Sequence, residues 1–505
     1  MSNKKTLLFP LSLLSSLSFM LFFNCSRPAS EASDVPVLPL FSLVPSEHSQ
    51  ILFQNNIQED NLVNYFKYEY LYNGGGVAIG DVNNDGLPDL YFTGNMTSNR
   101  LYLNEGDLKF ADVTAKAKAS YLNDWCTGVT MVDINNDGWL DIYVSASGYY
   151  EDPKVRKNIL FVNNGDAAAN DGIPTFTDRA AEYGIDDMGY SIQSVFFDYD
   201  NDGDLDLYVA NHPHLFRESA SVVLQKMKSP PYENRDRLYR NDSDQSHFLF
   251  VDVTQEAGIV NYSHTLGVVV SDFDQDGWID IYTSNDYQDP DYLYKNQGDG
   301  TFVNTIDQSM KHIAKFSMGV DANDFNNDGW TDLMTVEMMA EDNERQKTNM
   351  APMNPQEFDN IVAVGFGYQY MHNALQLNNG VLHNGAASSN LTFSEISYLS
   401  GVATTDWSWS PLFADFDNDG WKDLFITNGY RRDVLDKDFK IELKELLKGG
   451  KTTYENIKTK IPGSTLPNYI FKNNGDLTFT KKSQEWNIGD LVNSNGAAYA
   501  DLDLD

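Results

Sequence analysis

The sequence predicts an all-β protein, a β-propeller made of repeated four-stranded units. An acidic nine-residue motif occurs six times and begins a seventh time, and each copy stands between two short runs of aromatic and β-branched residues. Two further runs follow, with turn sequences such as Asn-Gly and Gly-Asp that favour hairpins. Runs of this length are strands, because they are too short for helices. Four short antiparallel strands per unit are the signature of a propeller blade.

The first unit shows the order of the strands. Residues 76–80 precede the acidic motif and residues 90–93 follow it, and then a Leu-Tyr-x-Asn run at 101–107 turns into an Asp-Val-Thr run at 110–114. Longer stretches interrupt the later units at 211–236, 340–372 and 430–466, and 436–447 predicts an amphipathic helix. Loops inserted on a rigid scaffold usually carry binding function, so we expect the site of action there.

The acidic motif is typical of a calcium loop. Oxygen-bearing side chains at positions 1, 3, 5 and 9 can converge on one point, glycine at position 6 permits a sharp turn, and the carbonyl of position 7 faces inward. Hard oxygen ligands suit Ca²⁺. The predicted ligands are Asp81, Asn83, Asp85, Leu87 and Asp89; Asp133, Asn135, Asp137, Trp139 and Asp141; Asp198, Asp200, Asp202, Asp204 and Asp206; Asp272, Asp274, Asp276, Trp278 and Asp280; Asp324, Asn326, Asp328, Trp330 and Asp332; and Asp415, Asp417, Asp419, Trp421 and Asp423.

Two other interpretations of the motif are weaker. An EF-hand needs flanking helices and a glutamate at position 12, where this chain has Phe92, Val144, Val209, Thr283, Thr335 and Ile426. A plain turn would not need four oxygen-bearing side chains at a fixed spacing six times. We expect several Ca²⁺ ions with a mainly structural role, bound more weakly where position 3 is asparagine, and tryptophans at position 7 that pack between blades.

Composition and motifs exclude several classes of function. The net charge of −37 argues against nucleic acid as a partner, because phosphates would be repelled. The chain has no Gly-x-Ser-x-Gly elbow, P-loop, dinucleotide fingerprint or His-Glu-x-x-His motif, so no catalytic residue is predicted and a non-enzyme is favoured. His212 and His214 could share one face, but their position beside Pro213 makes a histidine metal site the weaker interpretation.

The amino terminus predicts export. Lys4 and Lys5 precede an apolar run at residues 7–23, and Cys25 follows it, which resembles a bacterial lipoprotein signal at 1–24 with Cys25 as the lipidated residue. A cleaved soluble signal and a retained anchor are the alternatives. Residues 25–45 form a predicted polar tether. The second cysteine, Cys126, is predicted to be a buried apolar residue.

The combination of acidic loop, Leu-Tyr-x-Asn and Asp-Val-Thr resembles the FG-GAP (VCBS-type) repeats of integrin α-type propellers and of bacterial cartilage-acidic-protein-like exported lipoproteins. The resemblance runs from about residue 47 to the end. It implies a seven-bladed propeller with Ca²⁺ in its loops at residues 46–505, with the last blade incomplete at Asp505. It also implies an outer-membrane lipoprotein of a Gram-negative bacterium.

These observations predict a calcium-stabilised binding or adhesion module at the cell surface. Its inserted loops would recognise protein or glycan ligands, and a lipid on Cys25 would attach it to the membrane. The alternative is a polysaccharide lyase or hydrolase built on the same propeller, because a fold does not settle function. A structural spacer is the third hypothesis.

Overall fold

Antiparallel pairing of short strands dominates the computed structural model, which describes residues 39–121, 125–216, 218–244, 247–350, 354–383, 389–448, 450 and 452–504. The predicted signal at 1–24, Cys25 and the tether up to residue 38 lie outside the described residues, as does Asp505. None of the helices in the described ranges combines the length and apolarity that crossing a membrane requires.

Four sheets of four consecutive antiparallel strands make up the first part of the chain. The first sheet has β1 (Val77–Gly80), β2 (Asp89–Phe92), β3 (Arg100–Asn104) and β4 (Phe110–Asp112). The second has β5 (Trp125–Val132), β6 (Asp141–Ser147), β7 (Ile159–Asn163) and β8 (Phe176–Asp178). The third has β9 (Ser191–Phe197), β10 (Asp206–Asn211), β11 (Arg237–Asn241) and β12 (Phe250–Asp252). The fourth has β13 (His264–Ser271), β14 (Asp280–Asp286), β15 (Tyr292–Asn296) and β16 (Phe302–Asn304).

The fifth and sixth sheets have the same order but contain inserted segments. A small parallel pair, β17 (Ile313–Ala314) and β20 (Gln369–Tyr370), stands beside the fifth sheet of β18 (Val320–Asn323), β19 (Asp332–Thr335), β21 (Ala374–His383) and β22 (Ser389–Glu395). The sixth sheet has β23 (Ser408–Ala414), β24 (Asp423–Asn428), β26 (Tyr469–Asn473) and β27 (Phe479–Lys481), and β25 (Leu466–Pro467) pairs with β28 (Leu491–Val492).

Helices lie in the connections and in the three predicted insertions. Those of the insertions are α4 (Ala220–Met227), α6 (Asn343–Thr348), α7 (Pro355–Ala363), α9 (Lys437–Lys448) and α10 (Tyr454–Lys458). The others are α1 (Ser46–Ser49), α2 (Thr114–Ala117), α3 (Ala180–Tyr183), α5 (Ile306–Ser309) and α8 (Ser397–Ser400), with single 3₁₀ turns at Glu69–Tyr72, Pro153–Val155, Ala167–Ala169 and Tyr232–Asn234. The helix α9 confirms the one predicted at 436–447.

The hydrophobic core lies between neighbouring sheets. In β6, Ile142 and Val144 pack toward the first sheet, whereas Tyr143 between them packs toward the third sheet. Alternate residues of a strand point to opposite faces, so the apolar run Ile142-Tyr143-Val144 packs against a sheet on each side. Equivalent clusters join the third sheet to the fourth and the fourth to the fifth. Cys126 is buried in the cluster between the first two sheets, as predicted.

The first strands of the six sheets lie next to one another in chain order around a cavity of about 210 Å³. Their backbones approach so closely that a Cβ on Gly319 would lie 1.9 Å from the carbonyl oxygen of Trp409. Residues 495–497 line the same cavity, between the sixth sheet and the first. Asn495 accepts a hydrogen bond from the Thr427 hydroxyl through its carbonyl (2.9 Å), and its amide donates to the carbonyl of Tyr72 (3.1 Å).

The segment before the first sheet packs on the other elements. Phe41, which belongs to the end of the predicted tether, lies against the rings of Phe416 and Trp486. Tyr65, Tyr70 and Leu71 are buried in the largest hydrophobic cluster, which also includes residues of the fifth and sixth sheets. The chain from Pro39 onward therefore forms one compact unit.

Candidate functional site

Each acidic motif forms the loop between the first and second strands of its sheet, as the sequence predicts. In the fourth copy, Asp272 at position 1 accepts hydrogen bonds from the backbone amides of Asp276 (3.0 Å) and Gly277 (2.8 Å), and this pair recurs in all six copies. Gly277 has a φ of +92° and open space around its Cα, so the backbone conformation and not the space requires glycine.

The carboxylate at position 9 ties each loop to its sheet. Asp280 is 1% exposed and accepts hydrogen bonds from the amides of Phe273 (3.3 Å) and Asn296 (2.8 Å), so it links the loop to the third strand. Burial raises the pKa of Asp280 to about 7; the two amides oppose this shift and the Asp276 and Asp272 carboxylates add to it. A bound cation would favour the ionised form.

Carboxylate oxygens without hydrogen-bond partners point to a cation. In the third, fourth and sixth copies, one oxygen each of Asp200, Asp204, Asp274 and Asp417 is buried and has no hydrogen-bond partner. Carboxylates of these copies approach within 4.8 Å of one another in three groups: Asp198, Asp200 and Asp206; Asp272, Asp274 and Asp276; and Asp415, Asp417 and Asp423. Buried oxygens without donors are costly, and an ion that accepts many oxygen ligands removes that cost. These residues therefore fit Ca²⁺.

The other three copies have asparagine at position 3, and the described residues there contain no group of three carboxylates within that distance. The Asn83 side chain instead donates to Asp85 (2.9 Å), and Asn326 donates to Asp328 (2.9 Å). Their loops still wrap in the same way around position 1. The predicted ligands of copies 1, 2 and 5 therefore lie in loops of similar shape, but fewer carboxylates converge there than in copies 3, 4 and 6.

One position on the third strand carries a basic residue where position 3 of the loop is aspartate and an apolar residue where it is asparagine. Lys295 contacts the carboxylates of Asp274 and Asp276, and Lys472 contacts those of Asp417 and Asp419. Arg240 occupies the equivalent place beside the third copy, whereas the copies with asparagine have apolar residues there: Leu103, Val162 and Leu377. A cation on the strand therefore accompanies each additional aspartate in the loop.

An asparagine of the third strand, the last residue of that strand in every case below except Asn378, links neighbouring loops. The side-chain amide of Asn296 donates to the carbonyl of Tyr199, at position 2 of the preceding loop (2.8 Å). The equivalent bonds run from Asn163 to Val82, from Asn378 to Phe273 and from Asn473 to Phe325. Asn104 of the first sheet donates to Leu502 (2.9 Å), which is position 2 of the incomplete seventh motif.

The tryptophans at position 7 pack differently from the prediction. A Cβ on Gly298, in the turn between β15 and β16, would lie 2.8 Å from the indole of Trp278. Trp139, Trp330 and Trp421 lie at 2.8 to 3.1 Å from the equivalent positions on Gly165, Gly380 and Gly475 of their own sheets. All four are partly exposed. Each indole therefore covers a hairpin of its own sheet, because the loop and that turn lie at the same end of the strands.

A second feature, the aromatic pocket, lies at the opposite end of the first and second strands. Its volume is about 400 Å³, and its lining includes Tyr65, Glu69, Tyr70, Asp286, Tyr287, Glu357, Trp407, Trp409, Tyr430 and Lys440. Glu357 comes from the second insertion and Lys440 from the third, as expected for a site formed by inserted loops. The lining residues belong to no repeated motif, so no spacing in the sequence brings them together.

Two carboxylates of the pocket, those of Asp286 and Glu69, accept hydrogen bonds from tyrosine hydroxyl groups. Trp407 stacks on Tyr430 with ring centroids 3.8 Å apart, and its indole nitrogen is buried without a hydrogen-bond partner. The Tyr70 hydroxyl donates to Asp286 (3.1 Å) and the Tyr287 hydroxyl donates to Glu69 (2.9 Å). Burial raises the pKa of Asp286 to about 6. The lining of the pocket thus combines aromatic rings with carboxylates.

The histidine pair of the first insertion is part of the packing. His212 is fully buried, its ring nitrogens lie 3.1 Å from the Ser147 hydroxyl and 2.8 Å from the carbonyl of Pro213, and burial lowers its pKa to about 3. Within the described part of the chain, neither His212 nor His214 belongs to a group that could hold a metal ion.

Known protein families and curated proteins contain the same kind of repeat as this chain. The family model described as FG-GAP-like repeat matches residues 81–144 and 272–335, and both matches begin at position 1 of an acidic loop. Cartilage acidic protein 1 of Mus musculus is 26% identical over 51% of this chain and 39% of that protein. The Homo sapiens protein of the same name is 24% identical over 51% of this chain and 38% of its own length. The chain therefore covers well under two thirds of these relatives.

Among solved structures, the V. cholerae biofilm matrix protein Bap1 has a TM-score of 0.26 and 10% identity over 53% of this chain and 35% of that chain, a similarity too low to support an inference. The repeats and the curated relatives are more informative. They agree with the four-stranded sheets and with the acidic loop in each of them. The chain therefore contains FG-GAP-like repeats, has four-stranded sheets consistent with a β-propeller, and is similar to cartilage acidic protein 1 over about half of its length.

Proposed function

We propose that this chain is a calcium-stabilised, seven-bladed binding module that acts outside the cell and holds a neutral glycan in the aromatic pocket. The observation that carries the proposal is the placement of two features at opposite ends of the strands. The acidic loops stabilise the blades at one end of the strands, and inserted segments contribute residues to the pocket at the other end. Ligand binding and metal binding are thus separated.

The buried unpartnered oxygens of Asp200, Asp274 and Asp417 support Ca²⁺ in the loops. Side-chain oxygens of positions 1, 3, 5 and 9 and the carbonyl of position 7 would hold each ion. The ion would supply stability, because only the folded loop presents all its ligands at once.

Seven blades are supported by the chain that follows the sixth sheet. Residues 495–497 line the central cavity together with the first strands of the six sheets. The carbonyl of Leu502 accepts a hydrogen bond from the side chain of Asn104, as the position-2 carbonyls of other acidic loops do from the asparagine of the following sheet. This segment takes the place of a seventh first strand and loop.

The chemistry of the pocket favours a neutral sugar. Tyrosine and tryptophan rings stack on the apolar faces of sugars, and carboxylates accept hydrogen bonds from their hydroxyl groups. Glu69, Asp286 and Glu357 outnumber the single cation Lys440, so an anionic polysaccharide would be repelled. This balance disfavours a lyase that acts on acidic polysaccharides.

A glycan array separates the proposal from its alternatives. We expect the wild-type chain to bind neutral glycans, Trp407→Ala to lose at least tenfold in affinity, and Tyr499→Ala, an exposed aromatic residue outside the pocket lining, to bind normally. Binding of a protein ligand alone, or turnover of a bound polysaccharide, would contradict the glycan-binding proposal.

The calcium proposal has its own test. Chelation should lower the melting temperature strongly, and Ca²⁺ but not Mg²⁺ should restore it. Asp274→Ala should remove about one bound ion from the calorimetric count, because the fourth loop loses a ligand. An unchanged melt after chelation would refute the metal assignment.

The proposed location is the outer membrane of a Gram-negative bacterium, with a lipid on Cys25. Support comes from the signal-like sequence at residues 1–24, which ends directly before Cys25. Expression of the chain with its own signal should place it in the membrane fraction, and Cys25→Ser should release it. Lipidation would be contradicted if the wild type and Cys25→Ser were both released from the membrane fraction, or if both stayed in it.

A further inference from the structure

Three metal-binding side chains from separate segments meet at the end of the fifth sheet opposite its acidic loop. His312 lies directly before β17, His372 lies two residues after β20, and Glu395 ends β22. The parallel pairing of Ile313 with Gln369 brings the two histidines together. One ring nitrogen of each histidine and one carboxylate oxygen of Glu395 lie within 4.8 Å of one another.

Neighbouring groups orient all three side chains. Nδ1 of His372 lies 2.6 Å from the carbonyl of Asn373, and because a carbonyl only accepts, the neutral ring keeps its lone pair on Nε2. One oxygen of Glu395 accepts from the amide of Ser397 (2.6 Å), and the other faces Nε2 of His312 at 3.3 Å. The carbonyl of His312 accepts from the side-chain amide of Gln376 (2.8 Å). A simple His312–Glu395 ion pair would not require the third side chain.

The cluster is mostly buried but accessible at His312. The side chain of Glu395 is 8% exposed, His372 is 7% exposed, and the side chain of His312 is 28% exposed. Tyr370 lies 5.1 Å from the ring of His312, and Tyr398 lies 4.9 Å from the ring of His372. Two imidazoles and a carboxylate are a donor set for transition metals, whereas the acidic loops offer only oxygen.

We propose that His312, His372 and Glu395 bind one transition-metal ion of the Zn²⁺ type, with one coordination position left for water or another ligand. Three protein ligands and an open position are a common arrangement for Zn²⁺. The site is independent of the calcium loops and of the aromatic pocket.

The test uses the full chain saturated with Ca²⁺ and freed of transition metals. Calorimetric titration with ZnCl₂ should show one zinc equivalent in the wild type that is lost in His372→Ala and His312→Ala. His247→Ala, at an exposed histidine outside the cluster, should keep it. Equal zinc uptake by the wild type and both cluster variants, or no uptake by the wild type, would overturn the proposal.

Two further measurements keep the result interpretable. The melting temperature of each variant in Ca²⁺ shows whether it is folded, and His312→Gln, at the more exposed histidine, replaces His372→Ala if that variant is unfolded. Asp274→Ala should lose about one calcium ion and no zinc, so failure of one metal proposal is distinguishable from failure of the other. Co²⁺ in place of Zn²⁺ should give visible absorption that disappears in the cluster variants.

Discussion

At the level of single residues, the net charge around a calcium loop includes a side chain of the third strand as well as the nine loop residues. The expectation that loops with asparagine at position 3 bind Ca²⁺ more weakly considered only the charges of the loop residues. In the sixth copy, Lys472 contacts both Asp417 and Asp419, so the strand offsets the additional carboxylate. In the fifth copy, Asn326 is matched by the apolar Leu377. The two kinds of site therefore differ less in charge than the motif suggests.

Replacing Lys472 by leucine should strengthen calcium binding at the sixth loop. The substitution copies Leu377 of the fifth sheet and removes a positive charge that repels the ion. Because Lys472 is partly exposed, we expect a gain of about two- to fivefold in affinity. Calcium titration followed by calorimetry measures it. Lys482→Leu, which removes a lysine paired with Glu485 outside the loop, is the control, and equal effects of both variants would contradict the prediction.

At the scale of elements, the segment before the first sheet is held to the third insertion through a buried acid. Glu59 accepts hydrogen bonds from Arg432 (2.8 Å), from the hydroxyl of Tyr454 (2.5 Å) and from the hydroxyl of Tyr72. Burial alone would raise the pKa of Glu59, but these partners, chiefly Arg432, lower it to about 2. The ionised carboxylate is therefore what holds the two segments together.

The contribution of Glu59 to stability should depend on pH. Its folded pKa of about 2 lies below the ordinary value of 4.5, so the stabilisation is complete above about pH 4.5 and is lost as the pH falls toward 2. At neutral pH, Glu59→Gln should lower the free energy of unfolding by about 1 to 2 kcal/mol, allowing for solvent screening. Denaturant unfolding in Ca²⁺ at several pH values measures the difference.

The control for this prediction is Glu47→Gln, at an exposed acid of the same segment. It should leave the free energy of unfolding nearly unchanged at every pH. A cost of Glu59→Gln that stays constant down to pH 3 would show that the carboxylate charge does not carry the contact.

At the scale of the whole molecule, the same side-chain bond that links consecutive sheets also links the last described segment to the first sheet. Asn104 and Asn296 are both buried, and each donates to a carbonyl at position 2 of another motif, although the bond to Leu502 is only partly buried. Each also accepts a hydrogen bond from the amide of a turn glycine, Gly106 or Gly298. The contact at Leu502 therefore has the same donor and acceptor types as the contacts between consecutive sheets.

Loss of this bond should destabilise the chain both at Leu502 and between consecutive sheets. Asn104→Leu and Asn296→Leu should each lower the free energy of unfolding by about 1 to 3 kcal/mol, with the smaller loss for Asn104→Leu, because the carbonyl of Leu502 is only partly buried. Denaturant unfolding in Ca²⁺ compares the two variants directly. A neutral Asn104→Leu beside a destabilising Asn296→Leu would mean that the ring is open at this point.

The sequence by itself determined the repeat, the strands and the loops. A nine-residue loop such as 272–280 is closed by hydrogen bonds between residues at most seven positions apart, so its shape follows from local order. The run Ile142-Tyr143-Val144 likewise predicts a strand, because it is aromatic and β-branched and too short for a helix. The helix α9 followed from its own amphipathic pattern. These features are local, and a local pattern is sufficient to predict them.

Only the tertiary structure decided where chemistry other than calcium binding can occur. The aromatic pocket joins Tyr70, Asp286 and Trp407, and the proposed zinc site joins His312, His372 and Glu395. Residues so far apart in sequence meet because the sheets are arranged around one cavity and the insertions fold back over it. No spacing in the chain records such a meeting, since it depends on the packing of whole elements against one another.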